Sequence, residues 1–315
     1  MKTKVIGMAA ALVLGGWMAG TARADFTLTG SQELTVNSYH SIGYLYDLSQ
    51  VSIIQDGSVV QVNAYNSSTV NISGGSVTSG LAACDNSTVN ISTGSVSGSY
   101  LYTSGTSNLS VSGGSFPGSF LEAFGNSRMS FKGGSFAGSA LQGNDTSSLS
   151  INGGSFFNGT LNARDASRLA FSGGSISVSS LEALDTSSVS ISGGSIFHSN
   201  VIASDNSSLS VSGGSFPDSC LEAVGNSTIM LYGYDFQATG GLSLVKFDVI
   251  DGIPQYEVLG TGYLSGKWRD GTPCTVNIYE NDAGATILAI PEPATLSMLA
   301  LGVEIGIENG PTSGG

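Results

Sequence analysis

Four aspartates recur along this 315-residue chain at intervals of twenty residues: Asp145, Asp165, Asp185 and Asp205. If the repeats stack at the interstrand spacing of about 4.8 Å, these carboxylates repel one another, and a Ca²⁺ ion could bind along the column. Glycine takes the same place in other repeats, at Gly105, Gly125 and Gly225. The exchange of aspartate with glycine favours a tight turn in which the aspartate side chain bonds its own backbone. We therefore predict no metal ligands and no cofactor here.

Basic residues form a second pattern in neighbouring repeats. They are Arg128, Arg164, Arg168 and Lys132, and acids close to them are Glu122 and Glu182. These residues could form a polar patch, and β-helix polysaccharide lyases and hydrolases use a basic residue with clustered acids. The acids here are spread along the repeats rather than concentrated in one or two of them. We therefore predict no catalytic residues, and we keep a β-helix carbohydrate-active enzyme, a polysaccharide lyase or hydrolase, as the alternative function.

Histidine and cysteine are too scarce for a metal site or a disulfide framework. His40 and His198 are the only histidines, and neither has a repeated carboxylate or cysteine partner at ligand spacing. His198 occupies a repeat position at which we expect an exposed corner. Cys84 and Cys220 are about seven repeats apart, roughly 34 Å at the interstrand rise, which is beyond disulfide reach. A pair between Cys220 and Cys274 stays open.

A repeat positions most of these residues. From about Ser68 to Phe236 a unit of roughly twenty residues occurs nine times. Leu109 and Val111 alternate with serines, which is typical of a half-buried strand, and the paired glycines that follow end the strand at a corner. Two further short apolar runs complete the unit. Three strands and three corners predict one coil of a parallel β-helix, and the array predicts an all-β solenoid of about ten coils. We expect the right-handed form by analogy with the crossover rule.

The repeat also predicts the core, because identical apolar positions stack in successive coils and fill the interior. One inward column consists of Phe116, Phe136, Phe156, Ile176, Ile196 and Phe216. A second consists of Leu101, Leu121, Leu141, Leu161, Leu181, Val201 and Leu221. Hydroxyl and amide side chains are expected to form most of the exterior.

The N-terminal sequence has the pattern of a secretory signal peptide. Lys2 and Lys4 precede an apolar run, and Ala22-Arg23-Ala24 is an A-x-A cleavage site. Removal of the three basic residues in this segment, which has no acidic ones, takes the formal net charge from −13 to −16. An acidic chain of this kind excludes nucleic acid as the expected partner. We predict an exported protein.

The sequence divides into five segments. Residues 1–24 are the signal peptide, 25–55 an N-terminal cap with a first irregular coil, 56–236 the β-helix array, 237–290 a C-terminal β cap that continues the rod, and 291–315 a tail. Terminal coils must differ from internal ones, because otherwise the stack would polymerise.

The tail opens with Pro291, Glu292 and Pro293 and continues with the apolar run Leu296–Val303. It resembles the PEP-CTERM sorting signal of exopolysaccharide-producing Gram-negative bacteria, in which a Pro-Glu-Pro triplet precedes a membrane helix and an arginine-rich end. The resemblance implies processing by an exosortase-type enzyme. Here Glu304 stands where the apolar helix should continue, and no arginine follows it. We therefore do not expect this tail to anchor the chain in a membrane.

Together these patterns predict a secreted, non-catalytic structural or adhesive scaffold. Ladders of serine, asparagine and threonine along one face would make many weak hydrogen bonds that add up by avidity. The expected partners are exopolysaccharide or envelope glycans, at the cell surface or in the extracellular matrix, with the periplasm as the alternative location. An ice- or mineral-binding face ranks lower, because threonine occurs only in alternate coils, at Thr106, Thr146 and Thr186.

Overall fold

The computed structural model describes residues 25–250, 253–279 and 284–291, and every regular element in these ranges is a β-strand. The first strands are β1 (Phe26–Leu28), β2 (Glu33–Val36), β3 (Tyr39–Leu45), β4 (Gln50–Ile53), β5 (Ser58–Ala64), β6 (Thr69–Ala83), β7 (Thr88–Val96), β8 (Tyr100–Thr103), β9 (Asn108–Val111) and β10 (Phe120–Ala123). Next come β11 (Arg128–Phe131), β12 (Ser135–Ala137), β13 (Ala140–Gly143), β14 (Ser148–Ile151), β15 (Ser155–Phe157), β16 (Thr160–Ala163), β17 (Arg168–Phe171), β18 (Ser175–Ser177), β19 (Ser180–Ala183) and β20 (Ser188–Phe197). The last are β21 (Asn200–Ala203), β22 (Ser208–Ser215), β23 (Cys220–Ala223), β24 (Thr228–Gly240), β25 (Ser243–Ile250), β26 (Ile253–Leu259), β27 (Gly262–Trp268), β28 (Pro273–Ile278) and β29 (Thr286–Pro291).

The strands stack as three parallel ladders. Ladder A contains β8, β10, β13, β16, β19, β21 and β23, with Leu101 opposite Leu121. Ladder B contains β9, β11, β14, β17 and β22, with Leu109 opposite Met129. Ladder C contains β12, β15 and β18, and long strands such as β6 pass through all three ladders. The predicted parallel β-solenoid of about ten coils is confirmed.

The core consists of the inward columns that the repeat predicts. Every member of the phenylalanine/isoleucine column and of the leucine/valine column is at most 5% exposed. Phe116 stacks on Phe136 with 4.6 Å between ring centroids, and Phe136 stacks on Phe156 at 4.4 Å. Burying one such side chain contributes roughly 1.5–3 kcal/mol. The interior is therefore a continuous apolar column along the rod, as predicted.

The paired glycines lie at the corner that the repeat assigns to them. Gly174 has φ +89°, and a Cβ atom added to it would lie 2.6 Å from the carbonyl oxygen of Gly154. A Cβ on Gly194 would lie 3.0 Å from the carbonyl oxygen of Gly174. The backbones of successive corners are thus too close for any side chain, and the predicted stack of these three glycines is confirmed.

The parallel stack begins within the segment 25–55. Phe26 of β1 lies opposite Gly43 of β3, and β2 pairs in parallel with β4. Stacked residues are closer in sequence here than in the array: Leu28 and Leu45 are 17 residues apart, and Val51 and Val70 are 19 apart. Shorter corners explain why a twenty-residue period is not visible in this segment, although its coils pair in the same way.

The stack also continues beyond residue 236. The second half of β24 forms an antiparallel pair with β27, in which Gly233 lies opposite Trp268, and β25 pairs antiparallel with β26. The chain then returns to the end of the rod, where β28 pairs in parallel with β23 and β29 with β24. The segment 237–290 thus combines an antiparallel segment, made of the end of β24 and β25–β27, with a final parallel turn.

Several predicted features lie outside the described residues: the cleavage site at Ala22 and Ala24, and Glu292 and Pro293 of the sorting motif. Pro291 is the last residue of β29 and lies opposite Gly233. None of the described residues belongs to a helix with the length and apolar character needed to cross a bilayer.

Candidate functional site

The four periodic aspartates form one column at the corner between ladders A and B. Each has a left-handed φ between 55° and 60°. The Oδ2 atom of Asp165 accepts a hydrogen bond from the N–H of Asp145 at 3.0 Å, and Oδ2 of Asp185 accepts from the N–H of Asp165 at 3.1 Å. The prediction that each aspartate bonds its own backbone is therefore wrong. Stacking of identical corners brings the N–H of one coil within reach of the carboxylate of the next.

The same bonds set the electrostatics of this column. Gly125 donates its N–H to Oδ2 of Asp145 at 2.8 Å, and Asp185 donates to Asp205 at 3.2 Å. A hydrogen bond to a carboxylate stabilises the charge, so each bond offsets part of the repulsion between neighbouring aspartates. Among the described residues, no group of three or more His, Cys, Asp or Glu side chains is arranged to hold a metal ion.

Two columns of serine lie inside the corners rather than on the exterior. The first column consists of Ser107, Ser127, Ser147, Ser167, Ser187, Ser207 and Ser227, and the second of Ser99, Ser119, Ser139, Ser199 and Ser219. Ser187 Oγ donates to the carbonyl of Ala163 at 2.9 Å, and Ser119 Oγ donates to that of Val96 at 2.7 Å. Apart from the hydroxyl of Ser147, which has no partner, these hydroxyls join adjacent coils, so a large part of the serine expected outside has a structural role within the rod.

The outer surface of ladder B carries hydroxyls and amides that remain available. Its central outward positions are Asn71, Asn90, Ser110, Ser130, Ser150, Ala170, Ser190 and Ser210. Asn90 Nδ2 donates to Asn71 Oδ1 at 3.0 Å, so the amides of adjacent coils also bond to each other. Two shallow depressions of about 240 and 300 Å³ lie on this surface, and Arg168 lines the larger one.

The predicted polar patch is divided between two surfaces. Arg128 and Arg168 project from ladder B, two coils apart. Glu122 and Glu182 point outward from ladder A, and Arg164 directly follows a strand of that ladder. A corner turns the chain between the two ladders in every coil. Among the described residues, none of these three arginines forms an ion pair with either glutamate.

Both histidines lie at the surface of the coils. His198 has φ 47° and an exposed side chain, which agrees with the exposed corner predicted for it. Its Nε2 atom is 3.4 Å from Oδ2 of Asp218 in the next coil. His40 packs edge-on against Phe26, with 5.5 Å between ring centroids. The two histidines are at different ends of the rod and do not form a common site.

The three cysteines are buried free thiols, so the pair between Cys220 and Cys274 is not formed. Burial raises the pKa of both thiols, that of Cys274 to about 11. Cys84 Sγ lies 3.3 Å from the hydroxyl of Tyr102. This hydrogen bond, together with burial, raises the pKa of Tyr102 above its ordinary value.

Aromatic residues on the outer surface of ladder A form a group that sequence analysis missed. Tyr100 and Phe120 occupy equivalent positions in adjacent coils and are 43% and 36% exposed. Their ring centroids are 5.6 Å apart and their planes differ by 14°. Tyr102 stacks on Tyr100 at 5.6 Å with a 28° difference. The signal was the alternation in these strands, since each aromatic flanks an inward leucine and must point outward.

A network of polar side chains adjoins these rings. The Tyr100 hydroxyl donates to Oε2 of Glu122 at 2.5 Å, and burial together with this bond raises the pKa of Tyr100 to about 12. Oε1 of Glu122 accepts from Asn144 Nδ2 at 3.0 Å and from Gln142 Nε2 at 3.3 Å. Gln142 also donates to Oδ1 of Asn144 at 2.7 Å. The carboxylate of Glu122 is thus held in place from two coils.

Buried polar atoms without a hydrogen-bond partner occur in two places among the described residues. Three are hydroxyls of the inward serines Ser68, Ser87 and Ser147, and the other three are Asn63 Nδ2, Asn162 Oδ1 and Arg164 Nε on ladder A. A buried polar atom that lacks a partner costs about 1–3 kcal/mol. These six atoms are enclosed by protein, so they lower the stability of the rod and are not accessible to a ligand on its surface.

Comparison with known proteins identifies no relative: no protein-family model, curated protein or solved structure matches this chain. The features of this chain that bear on its function are the outer surfaces of ladders A and B and the sequence patterns at its two ends.

Proposed function

We propose that this protein is a secreted, non-catalytic scaffold of the cell envelope or of the extracellular polysaccharide matrix. The observation that carries the proposal is the outer surface of ladder B, where small hydroxyl and amide side chains recur at the coil spacing along the rod. A polysaccharide presents hydroxyls at a regular interval of its own. Many weak hydrogen bonds between two such periodic surfaces add up by avidity.

The shape of this surface suits a polymer better than an enclosed small molecule. The two depressions of about 240 and 300 Å³ lie at or below the lower end of the range for small-molecule pockets. The smaller one is lined mostly by serine and asparagine, and serine is the most frequent residue in the lining of the larger one. A linear glycan can lie across such a surface and contact several coils at once.

The dispersal of charged groups supports a role without catalysis. A catalytic site needs acid, base and charge-stabilising groups within hydrogen-bond reach of one substrate atom. Here Arg128 and Arg168 project from ladder B, whereas Glu122 and Glu182 project from ladder A. Arg164 is on the side of the glutamates, but among the described residues it forms no ion pair with either of them. The two sets lie on surfaces separated by a corner in each coil.

The proposed location follows from the sequence at the chain ends. The pattern that ends at Ala22 and Ala24 supports export, and Pro291, Glu292 and Pro293 support recognition by an exosortase-type enzyme. The proposed binding partners are exopolysaccharide or envelope glycans. The formal net charge of −16 expected after removal of residues 1–24 favours a chain that stays soluble in the matrix, and we do not include a membrane anchor in the proposal.

Shortening the rod tests this proposal. Deletion of residues 187–206 removes one coil length, and deletion of 167–206 removes two, while each joins equivalent positions of the repeat. Because the contacts are multivalent, retention in isolated matrix should fall in steps, with the two-coil deletion weaker than the one-coil deletion. Cosedimentation with purified matrix polysaccharide measures the retention, and circular dichroism checks that the shortened rods fold.

Two controls define the outcome. Arg168→Ala changes a single side chain of ladder B and should leave retention nearly unchanged. If the one-coil deletion abolishes retention completely, or if the purified protein cleaves acidic polysaccharides and Arg168→Ala abolishes the cleavage, the scaffold proposal is wrong. The cleavage result would establish the alternative, a polysaccharide lyase or hydrolase.

A further inference from the structure

We propose that the outer surface of ladder A contains a binding site for the pyranose rings of a neutral glycan, centred on Tyr100, Tyr102 and Phe120. This inference rests on the proposed function and adds the position of a preferred subsite and the chemical class of its ligand. It concerns a surface separate from the hydroxyl ladder of ladder B.

Aromatic area is exposed on ladder A, although the rod buries its phenylalanine column. Tyr100 and Phe120 are 43% and 36% exposed, although Phe116, Phe136 and Phe131 are completely buried close by. Exposed apolar surface that is contiguous marks a binding site more often than scattered single residues do. The three rings are contiguous, because Tyr100 stacks on both Tyr102 and Phe120.

The three rings are close to parallel. The planes of Tyr100 and Phe120 differ by only 14°, and those of Tyr100 and Tyr102 by 28°. The parallel ladder fixes the two strands that carry them in register, so the rings form a preorganised platform two coils in extent. One face of a pyranose ring presents C–H groups, which pack on the electron-rich face of an aromatic ring.

A network of polar side chains lies beside the platform. Sugar hydroxyls need both acceptors and donors next to the stacked ring. Glu122 supplies a carboxylate that is held by Tyr100 and by Asn144, whose side chain is only 8% exposed. One coil further, Asn162 and Arg164 are partly exposed and add an amide and a guanidinium on the same ladder. An apolar platform with a few fixed polar groups at its edge is the usual composition of a small-molecule site.

Electrostatics select a neutral glycan over an acidic one. Glu122 lies at the centre of the network, and the chain as a whole carries a formal net charge of −13. A polymer of uronate residues would bring further negative charge to this carboxylate, with Arg164 as the cation on the same ladder. A neutral hexose polymer has hydroxyls that donate to Glu122 without this repulsion.

The test compares aromatic residues on two surfaces. The double variant Tyr100→Ala/Phe120→Ala removes the platform, and Phe157→Ala removes a 51% exposed phenylalanine of ladder C as a matched control. Affinity electrophoresis in native gels that contain galactomannan, a neutral β-glucan or alginate measures binding. We expect the double variant to bind the neutral polysaccharides at least tenfold more weakly than the wild-type protein, and Phe157→Ala to bind them within twofold. Circular dichroism confirms that both variants fold.

Two further variants separate the contributions of ring and carboxylate. Tyr100→Phe keeps the ring and should retain most of the binding. Glu122→Gln keeps a hydrogen-bond acceptor, removes the charge, and should increase the retardation by alginate relative to the wild-type protein. If the wild-type protein binds polysaccharide and the Tyr100→Ala/Phe120→Ala variant binds equally well, the inference is overturned while the scaffold proposal stands. If the wild-type protein binds no polysaccharide and is not retained in matrix, the scaffold proposal itself fails.

Discussion

The coil array and the antiparallel segment near the C-terminus are stabilised in different ways. In the array, each residue lies opposite an equivalent residue of the next coil, and the large apolar side chains face inward. In the antiparallel segment, Val245, Phe247 and Val249 are exposed, and one tryptophan, Trp268, is completely buried. The array thus gains its stability from many similar contacts between neighbours, whereas the antiparallel segment depends on a few contacts that differ from one another.

This difference also explains how the rod ends. A regular coil leaves a free strand edge that another chain could extend. Here β29, the last parallel strand, pairs with β24 on one side and is also paired antiparallel to β26. The outer strand β25 carries a bulge between Lys246 and Asp248, opposite Tyr256 and Gln255. A bulge and charged side chains on an edge strand oppose further pairing, so the loss of the period is the feature that stops the stack.

The largest expected effect is that of Trp268→Ala. The indole of Trp268 packs 6.0 Å from the ring of Phe216, and its Nε1–H donates to the carbonyl of Gly214 at 2.7 Å. Loss of this buried side chain should lower the local opening free energy of amides in β27 by about 3–5 kcal/mol. Hydrogen exchange should show faster opening in the antiparallel segment, with strands such as β14 unchanged. Equal acceleration in both regions would show that they form one cooperative unit.

Gly174→Ala should have the next largest effect, and it tests the array. The new Cβ would lie 2.6 Å from the backbone oxygen of Gly154 at φ +89°, so strain and close contact should together lower stability by about 2–4 kcal/mol. Gly138→Ala is the matched control, because Gly138 has φ +63° and nothing within 4 Å of an added Cβ. Its cost should be only about 1–2 kcal/mol. Urea denaturation measures both, and equal losses would contradict the close packing of the glycine corner.

Asp165 provides a smaller test of how adjacent coils are joined. Asp165→Ala removes the acceptor for the N–H of Asp145 and places alanine at φ 55°, so it should destabilise the array by about 1–2 kcal/mol. Asp165→Asn keeps an acceptor oxygen and a residue that tolerates this conformation, and it should cost less than about 0.5 kcal/mol. Addition of Ca²⁺ or a chelator should leave the denaturation midpoint unchanged. A midpoint that rises with Ca²⁺ would instead establish a metal site at the column.

Cys274 gives the smallest effect, and it is specific to the C-terminal region. Its pKa in the folded protein is raised to about 11 by burial, above the ordinary value of 9.0. The stability that this thiol contributes is therefore fully present below pH 9 and is lost as the pH rises toward 11. Wild-type protein should lose stability more steeply across this range than Cys274→Ala. Parallel pH profiles of the two proteins, measured by urea denaturation, would contradict the burial of this thiol.

The sequence was sufficient for the parts of the fold that repeat. Identical positions twenty residues apart must stack, so the burial of Phe136 and the corner at Gly174 followed from periodicity alone. In residues 25–55 the sequence predicted a cap with only one irregular coil, because the spacing of 17 to 19 residues between stacked positions differs from the twenty-residue period. The parallel pairing of β28 with β23 and of β29 with β24 was not predicted either. These strands follow the antiparallel segment, whose sequence does not repeat.

The surface features needed three-dimensional information. The hydrogen bond from the N–H of Asp145 to Asp165 joins residues twenty positions apart, and turn propensity describes only local bonds. Arg164 and Arg168 are near in sequence, but Arg164 follows a strand of ladder A and Arg168 begins a strand of ladder B. The stacked rings of Tyr100 and Phe120 were not predicted, because the repeat shows the residue types that recur in every coil, and aromatic residues at this outward position do not recur.

The aspartate column gives the rod a direction. In each case the carboxylate of the later coil accepts from the backbone of the earlier one, as Asp185 accepts from Asp165 and Asp205 from Asp185. A corner is therefore complete only after the following twenty residues have been added. During vectorial synthesis or export, each new coil would supply the carboxylate that completes the corner of the coil before it, so these hydrogen bonds would form in order from the N-terminal end. A chain halted midway would leave its most recent corner without this hydrogen bond.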